Sequence, residues 1–156
     1  MKLSQGVEWC LHAAVLLAQM PNGETLSRKA IAEHHGLSED YLAKYLKLLV
    51  NADLLLATTG PKGGYRLARP AQEITSLEVV EAIDGTQKPF QCQEIRPRGA
   101  GAVAAEECHD PCGIHKMMDE AFAQWQEHLK QTSVADLVKG VPEHVILRNR
   151  QRLLNP

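Results

Sequence analysis

The sequence lacks several features that would place it in large classes of protein. No apolar run approaches the roughly 20 residues of a membrane-spanning helix, and the N-terminus has no basic start, apolar stretch and cleavage site of a signal peptide. It also has no phosphate-binding glycine loop, dinucleotide fingerprint or spaced nucleophile–base pair. We therefore expect a cytoplasmic protein that is not an enzyme.

The chain has no large excess of charge of either sign. Its 156 residues carry a formal net charge of -2 and are 44% hydrophobic. A chain of this size can bury one ordinary core without disulfides. Any binding to nucleic acid must come from a local basic patch, because the surface as a whole is not basic.

Cysteine is scarce, with four in the chain, at Cys10, Cys92, Cys108 and Cys112. In a reducing compartment such thiols seldom form a structural disulfide framework, so their number favours a role in metal binding or redox sensing. Asp110 and Pro111 suit the N-cap and first position of a helix, which puts Cys112 in its first turn. There, free N–H groups and the helix dipole favour a thiolate. Cys10 is expected to be a core thiol.

Helical periodicity predicts a first helix from Ser4 to Met20, followed by two short helices. Ser27 and Ser38 are expected to cap the short helices, and Gly36 ends the first of them. Two short helices joined by a glycine-containing turn are typical of a helix-turn-helix, whose second helix enters the major groove of DNA.

The stretch LLLATTGPKGGYRLARP predicts a β-hairpin directly after these helices. A helix-turn-helix followed by a hairpin is the order of a winged helix, so we expect double-stranded operator DNA as a partner. The candidate DNA contacts are Ser38, Tyr41, Lys44, Tyr45, Lys62 and Arg66. The alternative is that these residues form a solvent-exposed face with no role in DNA binding, and that the hairpin is an ordinary β-turn.

The rest of the chain is predicted to contain a capped helix, a long loop and an amphipathic helix. Thr75 and Glu78 form a capping-box pattern, and the helix they begin ends at Gly85. A loop follows to Glu107, and a helix then runs to about Lys130 with an apolar stripe that needs a partner. Dimerisation or packing within the chain would cover that stripe. A short helix from Ser133 ends at Gly140.

These patterns predict a domain organisation. Residues 1–85 form a winged helix-turn-helix domain and residues 86–111 a cysteine-bearing loop. Residues 112–140 form a dimerisation helix with a short C-terminal helix, and residues 141–156 are a tail without an interpretable pattern.

Four segments resemble the Rrf family of bacterial winged-helix regulators over residues 1 to about 140. They are the wing GPKGGYRLARP, the segment ITSLEVVEAIDG, the cysteine-bearing loop and the closing TSVADL. The resemblance implies a mainly α fold with a small β-hairpin wing. It also implies a homodimeric transcription factor, many relatives of which hold an iron–sulfur cluster whose state sets DNA affinity.

Two further features are similar to the RsrR-type members of that family: VEW with a histidine in the first helix, and a loop beginning FQCQEIRPRG. This likeness implies a redox-sensing 2Fe-2S cluster, with the first-helix ligands coming from the opposite subunit. Matched position by position, the ligands are Glu8, His12, Cys92 and Cys112. The cysteine spacing departs from the family's commoner pattern of three close cysteines, because fifteen residues separate Cys92 from Cys108.

The spacing of Glu8 and His12 is consistent with both side chains binding the same iron atom. Residues four apart on a helix face the same way, with Cβ atoms about 6 Å apart, so both side chains can reach one iron. The same spacing also occurs in ordinary helix-surface pairs.

A second ligand set lies within one chain. Cys92, Cys108, Cys112 and His115 could hold a cluster, including a 4Fe-4S cluster, or tetrahedral zinc. The alternative function is a cluster-free repressor of the same fold that depends on zinc or on thiols. A disulfide between Cys108 and Cys112 would be opposed by Pro111 and the helix start.

Overall fold

The computed structural model describes residues 2–60 and 63–155. Over these residues the chain forms seven α-helices and one two-stranded antiparallel sheet, so the predicted mainly α fold with a small hairpin is confirmed. The helices are α1 (Gln5–Ala18), α2 (Arg28–His35), α3 (Glu39–Asn51), α4 (Ser76–Asp84), α5 (Gly113–Gln131), α6 (Val134–Lys139) and α7 (Glu143–Leu154), and the strands are β1 (Leu55–Thr58) and β2 (Gly64–Leu67). No helix of the described residues is long and apolar enough to cross a membrane.

The chain divides into two compact units, each described by itself. The helix-turn-helix unit combines residues 2–85 with residues 129–155, and the cysteine unit comprises residues 86–128. Helix α5 begins in the cysteine unit and contributes its last residues to the other.

Helix α1 lies at the centre of the helix-turn-helix unit. It buries Cys10, Ala13 and Leu16 almost completely, and they pack with apolar residues of α3, α4 and the hairpin. Burial raises the pKa of the Cys10 thiol to about 12, which keeps it neutral. Cys10 is therefore the core thiol that the sequence predicts.

Local capping chemistry sets the bounds of α2 and α3. The Ser27 hydroxyl accepts a 3.1 Å hydrogen bond from the Ala30 N–H, as predicted, and Gly36 adopts the left-handed conformation with φ of 65°. Ser38 occupies the N-cap position of α3, but its side chain makes no capping hydrogen bond. The predicted boundary is therefore correct at Ser38, whereas the predicted side-chain cap is not formed.

The hairpin forms the wing. Its strands pair from Leu55 opposite Leu67 to Thr58 opposite Gly64. Two backbone hydrogen bonds between Leu26 and Tyr65, of 2.8 and 3.0 Å, attach β2 to the segment before α2. Lys62, one of the predicted DNA contacts, lies outside the described residues.

A reciprocal capping box begins α4, as predicted. The Thr75 side chain accepts from the Glu78 N–H, and a Glu78 carboxylate oxygen accepts from the Thr75 N–H at 2.8 Å. Arg69 binds that carboxylate at 2.8 Å, which gives this wing arginine a structural role. Ser133 and Asp136 form a second capping box at the start of α6.

The C-terminal segment, for which the sequence gives no interpretable pattern, contains the helix α7. Asn149 on α7 is buried and donates a 2.9 Å hydrogen bond to the side-chain oxygen of Gln19. Leu153 and Leu154 pack against the edge of the core. Helix α7 is therefore anchored to the end of α1.

Candidate functional site

Glu8 and His12 lie on the same exposed face of α1, as their spacing predicts. They line a cleft of about 210 Å³ together with Trp9, His35 and Leu37. A carboxylate oxygen and an imidazole nitrogen are both ligands for iron. The structure thus brings together the two candidate ligands of the first helix.

His35 is a member of this cleft that sequence reasoning missed. Its ring lies 5.6 Å from that of His12 and 4.7 Å from that of His34, between ring centroids. Its Nε2 atom is buried without a hydrogen-bond partner. Burial, with smaller contributions from His34 and His12, lowers the pKa of His35 to about 4. No local pattern in HHG indicates that His35 faces the first helix.

Tyr45 connects this part of α1 to α3, the predicted recognition helix. Its ring meets the Trp9 ring edge to face, with centroids 5.9 Å apart. A Cβ atom on the buried Gly6 would overlap the Tyr45 ring, so a glycine is required for this approach of the two helices. Tyr45 is therefore half-buried against the helix that carries Glu8 and His12.

Cys112 occupies a different position from the predicted one. Helix α5 begins at Gly113, and the Cys112 carbonyl accepts from the Lys116 N–H at 3.0 Å, so Cys112 is the N-cap residue. The prediction of Asp110 as N-cap and Pro111 as first helical residue is wrong by two positions. The thiol accepts from the N–H groups of His115 and Ile114, and these bonds, with the charge of Arg96, lower the pKa of Cys112.

Arg96 supplies positive charge to the cysteine unit. Its guanidinium binds both carboxylate oxygens of Glu94, at 2.7 and 2.8 Å, and the Asp110 carbonyl at 2.7 Å. The hydrogen bonds from Arg96 to the carboxylate lower the pKa of Glu94 to about 2. The Glu94 carboxylate is the main cause that raises the pKa of Arg96, and the thiolate forms of Cys108 and Cys112 raise it further. Sequence reasoning missed Arg96 because only the folded loop brings it near the thiols.

The other candidate ligands of the cysteine unit have local partners. The Cys92 sulfur accepts a 3.4 Å hydrogen bond from the Glu94 N–H, and Cys108 contacts the Ala104 carbonyl at 3.7 Å. His115 Nε2 lies 3.2 Å from Asp119 Oδ2. Among the described residues, no three His, Cys, Asp or Glu side chains converge closely enough to hold a metal ion. Both ligand sets therefore stay predictions.

The candidate DNA-binding residues lie on α3 and the wing. Tyr41 is 59% exposed, and the Lys44 ammonium lies 5.1 Å from the centre of its ring. Ser38 is also exposed, whereas Arg66 is half-buried on β2 opposite Leu56. Tyr41 and Lys44 thus form an exposed pair, basic and aromatic, on α3. The contacts of all these residues with DNA stay predictions.

Comparison with known proteins decides the family. The sequence model of Rrf2, described as an iron-dependent transcriptional regulator, matches residues 3–140. The chain belongs to the Rrf2 family. The match covers the winged helix, the cysteine unit, α5 and α6, and it ends before α7.

Relatives of this Rrf2 chain are transcriptional regulators and not enzymes. The helix-turn-helix-type transcriptional regulator YffB of Lactococcus lactis subsp. lactis (strain IL1403) is 31% identical over 137 residues, which cover 88% of this chain and 86% of YffB. The structure of CymR, the global cysteine regulator of B. subtilis, is 23% identical, with a TM-score of 0.75 and coverage of 91% of this chain and 99% of CymR. T. potens IscR is 24% identical, with a TM-score of 0.69 and coverage of 92% and 90%. These structures confirm the winged-helix fold.

Proposed function

We propose that this Rrf2 regulator senses redox state through a 2Fe-2S cluster bound between the subunits of a homodimer. Glu8 and His12 of one subunit and Cys92 and Cys112 of the other hold the cluster, and its state alters operator affinity. The observation that carries the proposal is the N-cap position of Cys112, whose lowered pKa favours the thiolate form that ligates iron.

The chemistry of the donor set fits such a cluster. Soft thiolates suit cluster iron, and imidazole replaces thiolate in known clusters with a higher reduction potential. Arg96 offsets negative charge at the thiolates. Glu8 offers a hard oxygen donor, which we expect to form the weakest of the four bonds. When bound, the cluster would supply a one-electron redox couple.

The contact between Tyr45 and α1 offers a route from the ligands to DNA. Glu8 and His12 share one helix with Gly6 and Trp9, and both of these pack against the Tyr45 ring. A displacement of α1 at its ligands therefore repositions a side chain of α3. We propose that this packed contact transmits the redox state to the recognition helix.

Three further observations support the proposal. The family description names iron-dependent regulation. The VEW segment with His12 and the loop FQCQEIRPRG resemble RsrR-type members, and this resemblance implies the 2Fe-2S ligand set. Ile114 and Met117 on α5 are 65% and 55% exposed, and we propose that the second subunit covers them.

Paired substitutions of Glu8 and His115 test the ligand assignment. In protein purified without oxygen, Glu8→Ala should change the visible spectrum and reduce the iron and acid-labile sulfide content, because a ligand is lost. His115→Ala should leave both at the wild-type level of about two irons and two sulfides per chain. The opposite pattern would support the ligand set within one chain and contradict the proposal.

A thiol- or zinc-dependent repressor is the second candidate function. The lowered pKa of Cys112 also favours redox chemistry, and CymR is named as a cysteine regulator. Zinc in place of iron and sulfide, or a colourless protein that reconstitution does not change, would select this candidate.

A further inference from the structure

A basic cleft of about 600 Å³ lies between α2 and α7 in the helix-turn-helix unit. Its charged and titratable lining side chains are Lys29, Glu33 and His34 of α2, and Arg148 and Arg152 of α7. Helix α7 begins beyond residue 140, where the match to the Rrf2 family ends. One wall of the cleft is therefore a feature of this chain that the family model does not describe.

Helix α7 is fixed in place, so its arginines have a defined position. The buried Asn149 donates to the Gln19 side chain, and Arg150 donates to the Gln19 backbone carbonyl. Leu153 packs against the core from the same helix. Arg148 and Arg152 are one helical turn apart, so both project into the cleft.

The charges in the cleft are mainly positive. Lys29, Arg148 and Arg152 face a single acidic lining residue, Glu33, among the described residues. Glu33 is already paired with Lys29 at 3.7 Å. Burial is the main cause that lowers the pKa of His34, and the positive charges of Arg152 and Arg148, which line the same cleft, lower it further. An anion would relieve this repulsion.

The cleft is formed in part by the first helix of the helix-turn-helix. In a helix-turn-helix the second helix enters the major groove while the first crosses the DNA backbone. Here α2 is the first helix, and Arg28 on it binds Glu39 of α3 at 2.8 Å, so the two helices dock as a pair. The cleft therefore lies beside the element that faces phosphates.

We propose that the cleft between α2 and α7 binds backbone phosphates of the operator, with Arg148 and Arg152 as the contacting residues. This inference rests on the DNA binding in the proposed function and does not depend on the cluster. Arginine suits the task because its planar guanidinium donates two parallel hydrogen bonds to a phosphate. Such contacts hold the protein in register on the duplex and carry no sequence information.

The salt dependence of DNA binding tests the inference. The probes are a duplex selected by affinity from a random library with the wild-type protein, and an unrelated duplex of the same length. Each of Arg148→Gln and Arg152→Gln should reduce the slope of log K against log salt by about 0.9 between about 50 and 200 mM salt, on both duplexes. The double substitution Arg148→Lys/Arg152→Lys should retain the wild-type slope.

Lys130→Gln is the matched control, because it removes one exposed positive charge outside the cleft. Its slope should equal that of the wild type. Hydroxyl-radical footprinting should show sugar protections at the flank of the selected duplex that disappear in the arginine-to-glutamine variants and persist in Lys130→Gln.

Two outcomes would overturn the inference. One is a wild-type slope and footprint in the double variant Arg148→Gln/Arg152→Gln. The other is that inorganic phosphate stabilises the protein against heat only when both arginines are present, while duplex binding does not depend on them. That result would make the cleft a site for small anions. Neither result would change the effect of redox state on the affinity of the protein for the selected duplex. A failure of the proposed cluster function would instead remove that effect and leave the salt slopes as expected.

Discussion

The thiol of Cys112 takes the place that a serine or aspartate side chain usually fills at the start of a helix. It accepts hydrogen bonds from two free N–H groups, and the Arg96 guanidinium adds positive charge. All three interactions favour the thiolate over the thiol. The cap of α5 and the proposed iron ligation therefore depend on the same sulfur atom.

Replacing Arg96 by Gln should raise the pKa of Cys112 in the metal-free protein, because a favourable charge is removed. The pH at which the Cys112 thiol reaches half of its maximal alkylation rate should then increase. At any fixed pH below that midpoint, alkylation should be slower than in the wild type. Site-resolved alkylation followed by mass spectrometry measures this rate.

Arg98→Gln is the control for Arg96→Gln, since Arg98 binds the Gln93 carbonyl and is not among the causes of the lowered Cys112 pKa. An equal shift in both variants would show that the effect is not specific to Arg96. The buried Cys10 should remain unreactive throughout, because burial holds its pKa near 12.

At the scale of elements, the central contact is that between α1 and α3. Gly6 permits the approach, and Trp9 and Tyr45 fill the space between the helices. Aromatic pairs in this edge-to-face geometry contribute about 0.5–1.5 kcal/mol beyond the area that they bury. A displacement of α1 would therefore have to rearrange this packed contact with α3.

Gly6→Ala tests this contact. The added methyl group must displace the Tyr45 ring, so we expect a loss of about 1–3 kcal/mol in the free energy of unfolding and weaker binding of the selected duplex. Urea denaturation and fluorescence anisotropy measure the two effects. Gly101→Ala, at an exposed position where a Cβ meets nothing within 4 Å, should change stability by less than about 0.5 kcal/mol. Wild-type stability in Gly6→Ala would contradict the packing argument.

Local signals in the sequence predicted several elements because the chemistry of each is confined to a few residues. The caps at Ser27 and Thr75 and the helix start at Ser133 are of this kind. Helix α7 was not predicted, because its buried Asn149 is paired with Gln19, 130 residues away in the chain. The face shared by Glu8 and His12 follows from helical periodicity alone.

The rest of the candidate site depends on how separate segments fold together. The position of His35 beside His12 and that of Arg96 among the thiols are set by tertiary contacts that no local pattern encodes. The N-cap at Cys112 was missed because Asp110 and Pro111 are themselves common at a helix start. Because Asp110, Pro111 and Cys112 are adjacent and each can begin a helix, the sequence alone does not determine where α5 starts.

At the scale of the whole molecule, the chain joins a winged-helix unit to a cysteine unit within the Rrf2 family. The proposed cluster takes ligands from both kinds of unit, supplied by different subunits. In this proposal, a change in the redox state of the cluster would act on both subunits of the dimer at once. Allosteric couplings of this type are typically worth about 1–3 kcal/mol, or about 5- to 150-fold in affinity.

The affinity of one anaerobic preparation for the selected duplex, measured before and after reduction at constant salt, tests the central claim most directly. The account predicts that the two states differ in affinity by about fivefold or more, and that Glu8→Ala abolishes the difference. Equal affinity in the oxidised and reduced states of a cluster-loaded wild-type protein would contradict redox sensing through this site.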